Sequence, residues 1–285
     1  MTTSPLRLLG VTPRFLTWRG HQIALHEAGE GPPILLIHSI NAAASAHEMR
    51  HPFRLLATTH RVIAVDLLGF GDSDRPRMHY TAELYIDLII HVASQIGQPL
   101  TAVAVSLSSA YLLSAAARRP ELFRALSVIC PTGLEDLVTP ASPGTAYQLL
   151  AGPLGAAIFA GLVSRRSIDY FLTSMTYANP AACDAQMRQL YYQAAHRPGA
   201  RWAPICFVTG LLNCDLRTLG PRLTGPVQII WGQQAQTTPA TRLAAFRRLM
   251  PHCDSVLLPA GMAVQDEVPS AWHHEFCRFL NEVPQ

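Results

Sequence analysis

A serine stands where an apolar run gives way to helical spacing in residues 103–117, VAVSLSSAYLLSAAA. Ala104 and Ser108, two positions before and after Ser106, are small, as a sharp strand-to-helix turn requires, because bulky side chains there would collide. Such a turn would present the Ser106 hydroxyl as a nucleophile and would aim the N-terminal amides of the helix at a bound anion. Serine is also a favoured helix N-cap, so a purely structural role fits the same residues.

Strand and helix signals alternate around this serine. Short apolar runs predict strands at residues 34–38, 61–66, 101–106 and 125–130, and helical spacing predicts helices at 82–96 and 108–118. Strands without polar alternation are buried on both faces, which is typical of a parallel sheet. Residues 15–18 and 22–27 are separated by a short turn and predict an antiparallel hairpin that opens the sheet.

The alternation of predicted strands and helices stops after Pro131. Residues 134–216 show helix-like stretches with Pro and Gly breaks, and strand signals resume at 227–232 and 255–259. We therefore predict an α/β fold with a mostly parallel sheet flanked by helices and an inserted helical cap. In this division residues 1–133 and 217–285 form the α/β core, and residues 134–216 form the cap.

The composition narrows the classes of function. With 285 residues, 49% hydrophobic, the chain can bury a sizeable core. All 22 basic residues are arginine, the net charge is only +3, and no basic stripe appears, so we expect no nucleic-acid partner. Six cysteines without zinc-type spacing indicate reduced thiols, and we expect neither a metal nor a cofactor, since dinucleotide and phosphate loops are also missing. The start of the chain does not look like a signal peptide, so we expect a cytoplasmic protein.

The most apolar stretch, residues 146–163, reads AYQLLAGPLGAAIFAGLV. Gln148, Pro153 and three glycines interrupt it, which favours a buried or pocket-lining helix pair over contact with a bilayer. A hypothesis from a different class of function also stays open. In it, the protein is an interaction protein that uses residues 146–163 to bind a partner or a membrane surface.

Two further stretches complete a pattern with the serine. Residues 37–48, IHSINAAASAHE, follow the strand at 34–38, and residues 65–76, VDLLGFGDSDRP, follow the next one. From about Phe15 to Phe279 the chain resembles the α/β-hydrolase superfamily, in the branch of capped epoxide hydrolases, haloalkane dehalogenases and carbon-carbon bond hydrolases. A dehalogenase is disfavoured, because such enzymes have an aspartate where this chain has Ser106.

The resemblance implies roles by position. Ser106 would be the nucleophile, the amides of Ile40 and Leu107 the oxyanion hole, and His38 an organiser of the oxyanion loop. Ser39 stands where the family's loop has a glycine. A scaffold role is implied for the charged residues Asp66, Asp72, Asp74 and Arg75.

The chain departs from the family at two positions. The family's acid commonly lies in W-G-x-x-D-x-x-x-P, and here WGQQAQTTP places Ala235 there. Its histidine commonly lies in G-H-x-x-x-x-E-x-P, and here GMAVQDEVP places Met262 there. A thioether cannot accept the serine proton and a methyl group cannot orient a base. Loss of the base alone lowers turnover by roughly a million-fold in a measured serine protease.

Substitutes for the lost pair are few. A Ser-Lys dyad is excluded because the chain has no lysine. We expect His252, His273 and His274 to face away from Ser106. An acid relocated to Glu135 or Asp136 stays open but would have no histidine to orient. We expect Glu267 to be structural and Asp266 to be exposed.

Two hypotheses remain for the function of the predicted pocket. The first is a degenerate hydrolase, a pseudoenzyme that binds a small apolar molecule or an ester under the cap or runs non-hydrolytic chemistry. The alternative is a serine hydrolase of esters or carbon-carbon bonds that uses a non-standard base, such as His38 or a water. We expect the pocket to include His38, Ser39, Asn41, Trp202 and Phe207, while Tyr191, Tyr192 and Met175 fit a pocket wall or the core equally well.

Overall fold

The computed structural model describes residues 10–134, 143–219 and 222–283. An eight-stranded sheet runs through the described chain in the order β1-β2-β4-β3-β5-β6-β7-β8. The strands are β1 Arg14–Trp18, β2 His21–Ala28, β3 Pro33–Ile37, β4 Arg61–Val65, β5 Leu100–Val105, β6 Phe123–Ile129, β7 Val227–Gly232 and β8 Asp254–Leu258.

The sheet is parallel from β4 to β8 and antiparallel at its first edge. Strand β1 pairs antiparallel with β2, and β2 pairs antiparallel with β4. Arg19 and Gly20 join the first hairpin with φ of 49° and 79°, the left-handed values that a tight two-residue turn requires. The predicted hairpin, the parallel strands and the α/β fold class are confirmed.

Helices cover the sheet and fill the interval between β6 and β7. They are α1 Arg50–Leu56, α2 Ala82–Ile96, α3 Leu107–Arg118, α4 Pro143–Ala151, α5 Pro153–Leu162, α6 Arg165–Tyr170, α7 Ala185–Ala195, α8 Trp202–Val208, α9 Leu243–Leu249, α10 Val264–Glu267 and α11 Pro269–Glu282. Helix α2 shows why the boundaries were predictable: Thr81 caps it by accepting from the Leu84 amide, and Gly97 ends it at φ 81°.

Helices α4 to α8 come in the interval for which the sequence predicts a cap. The domain boundaries at 133/134 and 216/217 stay a prediction. Glu135 and Asp136, the candidates for a relocated acid, lie outside the described residues. No single described helix is long and apolar enough to cross a bilayer, and only α4 and α5, bent by 76°, reach that length and composition together.

Two apolar clusters and two ion pairs join the helical interval to the sheet. The main core encloses the sheet, and a smaller cluster centres on α6 and α7 and includes Ala43 and Ala263 from loops of the sheet. Arg197 of the interval binds Asp72 at 2.6 Å with little exposure on either side, and Asp184 of the interval binds Arg50 at 2.8 Å. The interval is therefore fixed over the carboxyl ends of the strands by both packing and charge.

Candidate active site

Ser106 sits in a strained turn between β5 and α3. Its φ of 55° and ψ of −124° lie in a region that side-chain-bearing residues rarely adopt. The turn is held because the Ser106 amide donates to the Ile129 carbonyl at 2.9 Å and the Ser109 hydroxyl donates to the Ala104 carbonyl at 3.0 Å. The Ser106 side chain makes no capping hydrogen bond, so the N-cap interpretation is wrong and the geometry is that of a nucleophile elbow.

A cavity of about 620 Å³ opens above this serine. The predicted pocket residues Ser39, Asn41 and Phe207 line it, as do Met175 and Tyr191. Ile40 and Leu107 line it beside Ser106, and neither backbone amide donates to another group of the described chain. Two free amides next to the serine oxygen can receive an oxyanion.

The pocket prediction needs correction at two residues. Trp202 is not in the cavity wall, because its ring lies against the guanidinium groups of Arg77 and Arg201, at 5.1 Å and 4.1 Å. His38 is fully buried beneath the wall. Tyr192 also lies outside the wall and stacks on His196.

Both ring nitrogens of His38 are already bonded to backbone. Nδ1 lies 2.6 Å from the Ser39 carbonyl, and since a carbonyl only accepts, Nδ1 carries the proton. Nε2 is therefore the acceptor for the Leu67 amide at 3.0 Å. His38 ties the oxyanion loop to the end of β4 and has no lone pair left for Ser106, so the suggestion that it serves as a non-standard base is wrong.

Met262 and Ala235, at the positions predicted for the base and the acid, carry uncharged side chains. The Met262 sulfur accepts from the Thr238 hydroxyl at 2.7 Å, and its amide donates to the Thr176 carbonyl at 2.7 Å. Ala235 is buried, and its amide closes a turn on Gly232. Neither Met262 nor Ala235 carries an ionisable group, and Thr238 is the hydrogen-bonding partner of the Met262 sulfur.

No imidazole reaches Ser106 from elsewhere. All twelve histidines lie in the described part of the chain, and none of them lines the cavity. His252 and His274 are exposed, and His273 faces Cys277 on the same helix. Within the described residues the Ser106 hydroxyl has no hydrogen-bonding partner.

Glu48, which the sequence analysis passed over, holds the oxyanion loop. Its carboxylate accepts from the Ser39 amide at 2.8 Å, the Ser39 hydroxyl at 3.0 Å, the Asn41 side-chain amide at 3.0 Å and the Tyr191 hydroxyl at 2.8 Å. These bonds bracket Ile40 and fix the direction of its amide. A lone acid nine positions after Ser39 in an alanine-rich loop was the available signal.

Asp266 is buried, which corrects the expectation that it is exposed. Arg50 donates to both carboxylate oxygens, at 2.7 Å and 2.9 Å, and the Tyr177 hydroxyl donates at 2.9 Å. Burial and the neighbouring carboxylate raise the pKa of Tyr177 well above its ordinary value, so it stays a donor. Arg50 also binds Asp184 at 2.8 Å, so this cation is committed to two carboxylates.

Glu267 serves the backbone, in keeping with its expected structural role. Its carboxylate accepts from the amides of Gly261, Ala178 and Asn179 at 2.6 to 3.1 Å. This residue thereby connects the loop of Met262 to the segment after the helical turn at Phe171–Thr176.

The charge of the cavity wall is one-sided. Its ionisable side chains are those of Glu48, Asp266, Tyr177 and Tyr191, and no arginine or histidine is among the described lining residues. Two buried polar atoms of the wall, Thr132 Oγ1 and Gln265 Oε1, have no hydrogen-bonding partner in the described structure. An unpaired buried polar group is costly, so a ligand that supplies hydrogen bonds to both would be favoured.

The acid-rich stretch after β4 forms a separate, structural cluster. Although burial lowers the pKa of His26, its hydrogen bond to Asp66 at 3.0 Å and the charge of Asp66 raise it. Asp66 also accepts from the amides of Ala46 and Asp72 at 2.7 Å and 2.9 Å. His26, Asp66 and Asp72 are close enough together to bind a metal, and within the chain both Asp66 oxygens, His26 Nε2 and Asp72 Oδ1 already take part in hydrogen bonds or ion pairs.

Known proteins share this architecture. The model of the alpha/beta hydrolase family matches residues 34–281. The chain belongs to the alpha/beta hydrolase family. Among members of this family, a 2-hydroxymuconate semialdehyde hydrolase from Pseudomonas putida is 32% identical over 184 residues, which are 63% of this chain and 60% of that protein. The matched part thus spans about 60% of the length of that relative.

Two other relatives align over more of their length. A 2-(acetamidomethylene)succinate hydrolase from Mesorhizobium japonicum is 27% identical over 249 residues, 86% of each chain. A meta-cleavage product hydrolase from Pseudomonas fluorescens has a similar structure, with a TM-score of 0.79 at 20% identity over 97% of this chain and 100% of that one. These three proteins are all named as hydrolases.

Proposed function

We propose that this member of the alpha/beta hydrolase family binds a small, uncharged, largely apolar molecule in the cavity above Ser106 and has lost serine-hydrolase turnover. The observation that carries the proposal is the isolation of the Ser106 hydroxyl. Met262 and Ala235 stand at the positions predicted for the base and its acid, the Met262 sulfur is bonded to Thr238, and both ring nitrogens of His38 are bonded to backbone. Without a proton acceptor the hydroxyl is a poor nucleophile.

The charge of the wall supports an uncharged ligand. Glu48 would repel a carboxylate, and Arg50, the cation that neutralises Asp266 of the wall, is already held by Asp266 and Asp184. The name of the 2-(acetamidomethylene)succinate hydrolase from Mesorhizobium japonicum gives a dicarboxylic acid as the substrate of that protein. This chain is less suited to such an anion, since a buried carboxylate needs a cation or several donors.

A matched pair of ligands tests this preference. We expect methyl 4-phenylbutyrate to bind at least about ten-fold more tightly than 4-phenylbutyrate in calorimetric titrations, because only the acid brings a charge into the acidic wall. The Thr132→Val variant should weaken binding of the ester by about five-fold, the value of one neutral hydrogen bond. Equal or tighter binding of the acid would contradict the proposed ligand class.

Turnover is tested separately with p-nitrophenyl butyrate. Wild-type protein and the Ser106→Ala variant should hydrolyse this ester at rates within about three-fold of each other, because the hydroxyl is not activated. A wild-type rate that falls by a hundred-fold or more in Ser106→Ala would overturn the loss of turnover.

One observation favours a second candidate, a serine hydrolase with water as its base. The strained φ of 55° at Ser106 is retained together with free amides at Ile40 and Leu107, and backbone strain of this kind is characteristic of functional sites. Covalent labelling of Ser106 by a fluorophosphonate, located by mass spectrometry and lost in Ser106→Ala, is expected only from this candidate.

A further inference from the structure

Helix α5 is exposed along an apolar face. The ten residues Pro153–Leu162 contain no polar side chain. Leu154, Ile158 and Leu162, spaced four apart and therefore on one face of the helix, are 59%, 46% and 57% exposed. Leu149 on α4 and Tyr170 on α6, the helices next to α5 in the chain, are also exposed. Contiguous exposure of large apolar side chains is unusual on a protein surface and marks a site of contact.

The charged side chains that follow α5 are mainly cationic. Residues 143–168 contain no aspartate or glutamate, Arg165 and Arg166 come shortly after α5, and the next acid, Asp169, is paired with Arg188 at 3.2 Å. Arg166 is exposed and has no ion-pair partner among the described residues, while Arg165 lies 4.0 Å over the Tyr192 ring. Apolar side chains flanked by arginines are the composition that binds the interface of an anionic bilayer.

A second cavity lies between this face and the cavity above Ser106 and shares a wall with the latter. It measures about 480 Å³, and Leu162, Val163, Arg166 and Tyr170 line its outer part. Asn41, Phe171, Met175 and Tyr191 line both this cavity and the larger one. Met175 in this shared wall can adopt several shapes, because the methionine side chain is unbranched and flexible.

We propose that α5, with Arg165 and Arg166, docks on the surface of an anionic lipid bilayer, and that the second cavity receives an apolar ligand from that surface. The outer cavity lies between the docking face and the shared residues, so a molecule would pass from lipid toward Ser106 without crossing water. This reverses the sequence-based expectation that residues 146–163 avoid a bilayer. The docking step is independent of the proposed function, whereas the transfer step rests on it.

A second copy of the chain fits this face less well than a lipid surface. A two-fold interface places the same patch on both partners. The arginines after α5 would then approach their own symmetry mates, and Asp169, the nearest acid in the sequence, is already paired with Arg188. Lipid phosphates supply the missing negative charge.

Vesicle co-sedimentation of the full chain tests the docking step without any ligand. We expect binding to vesicles of phosphatidylcholine with 30% phosphatidylglycerol, weakened at least about ten-fold by the double substitution Leu154→Gln with Ile158→Gln, because two large apolar side chains leave the interface. Arg166→Gln should weaken binding to these vesicles about five-fold and leave binding to pure phosphatidylcholine unchanged. Leu257→Gln, a substitution of an equally exposed leucine on β8, should change neither.

Three outcomes would overturn docking. They are the absence of binding to both kinds of vesicle, equal binding by the Leu154→Gln/Ile158→Gln and Leu257→Gln variants at matched melting temperatures, and a dimer in sedimentation that Leu154→Gln/Ile158→Gln converts to a monomer. Failure of the proposed function would appear instead as absent binding of methyl 4-phenylbutyrate, with vesicle binding intact.

Discussion

At the scale of single residues, the reactivity of Ser106 depends on which atoms can accept a proton. The Met262 sulfur is a weak acceptor and already accepts a hydrogen bond from the Thr238 hydroxyl. His38 is excluded by its two backbone bonds. Under the proposed function, the backbone strain at Ser106 is retained although the described residues offer its hydroxyl no imidazole.

Glu48 offers a residue-scale prediction. Glu48→Ala should lower the free energy of unfolding by about 3 kcal/mol, because it removes the acceptor of four donors in a buried loop. Tyr191→Phe removes only one of those donors and should cost about 1 kcal/mol. Urea denaturation measures both, and a cost for Glu48→Ala no larger than that for Tyr191→Phe would show that the loop is held by other contacts.

The sequence predicted part of this site for a clear reason. Ala235 and Met262 could be placed because the residues on both sides of them keep the family's pattern. The burial of Asp266 could not be predicted, because its partner Arg50 lies 216 positions away and nothing local indicates the pair. Glu48 was missed for a similar reason, since one of its donors, Tyr191, comes from a helix 143 positions later.

At the scale of elements, the turn between β5 and α3 places the serine and carries the strain. The strand end is fixed by parallel pairing with β3 and β6, and the helix begins at Leu107. The sequence predicted this element because small residues flank Ser106 and apolar runs lie on either side. It did not predict that Trp202 leaves the cavity wall, because the stacking of its ring on two arginines depends on how α8 packs.

Relieving the backbone strain at Ser106 should stabilise the folded protein. Ser106→Gly should raise the free energy of unfolding by about 1 kcal/mol, because glycine adopts φ of 55° at little cost. Ser114→Gly, in the interior of the same helix, should lower it by about 1 kcal/mol. Thermal and urea unfolding give both values, and destabilisation by Ser106→Gly would mean that the turn is not strained.

At the scale of the whole molecule, buried ionisable groups link stability to pH. Burial lowers the pKa of His47 from 6.5 to about 3. The unfolded chain therefore binds a proton at this residue before the folded chain does, and the stability that the neutral form contributes above pH 6.5 is lost as the pH falls toward 3.

This linkage predicts a slope that one substitution removes. Between pH 6 and pH 4 the wild-type free energy of unfolding should fall more steeply than that of His47→Gln, by up to about 1.4 kcal/mol per pH unit. His252→Gln, which changes an exposed histidine, should keep the wild-type slope. Parallel curves for wild type and His47→Gln would show that His47 titrates normally in the folded protein.

The central claim, that Ser106 lacks only a proton acceptor and its carboxylate, is tested most directly by restoring both. Hydrolysis of p-nitrophenyl butyrate should rise at least about a hundred-fold in Ala235→Asp/Met262→His over wild type, the lower end of what a positioned base supplies. The gain should disappear when Ser106→Ala is added. An unchanged rate in the restored variant, with its fold intact by circular dichroism, or a gain that survives Ser106→Ala, would contradict the account.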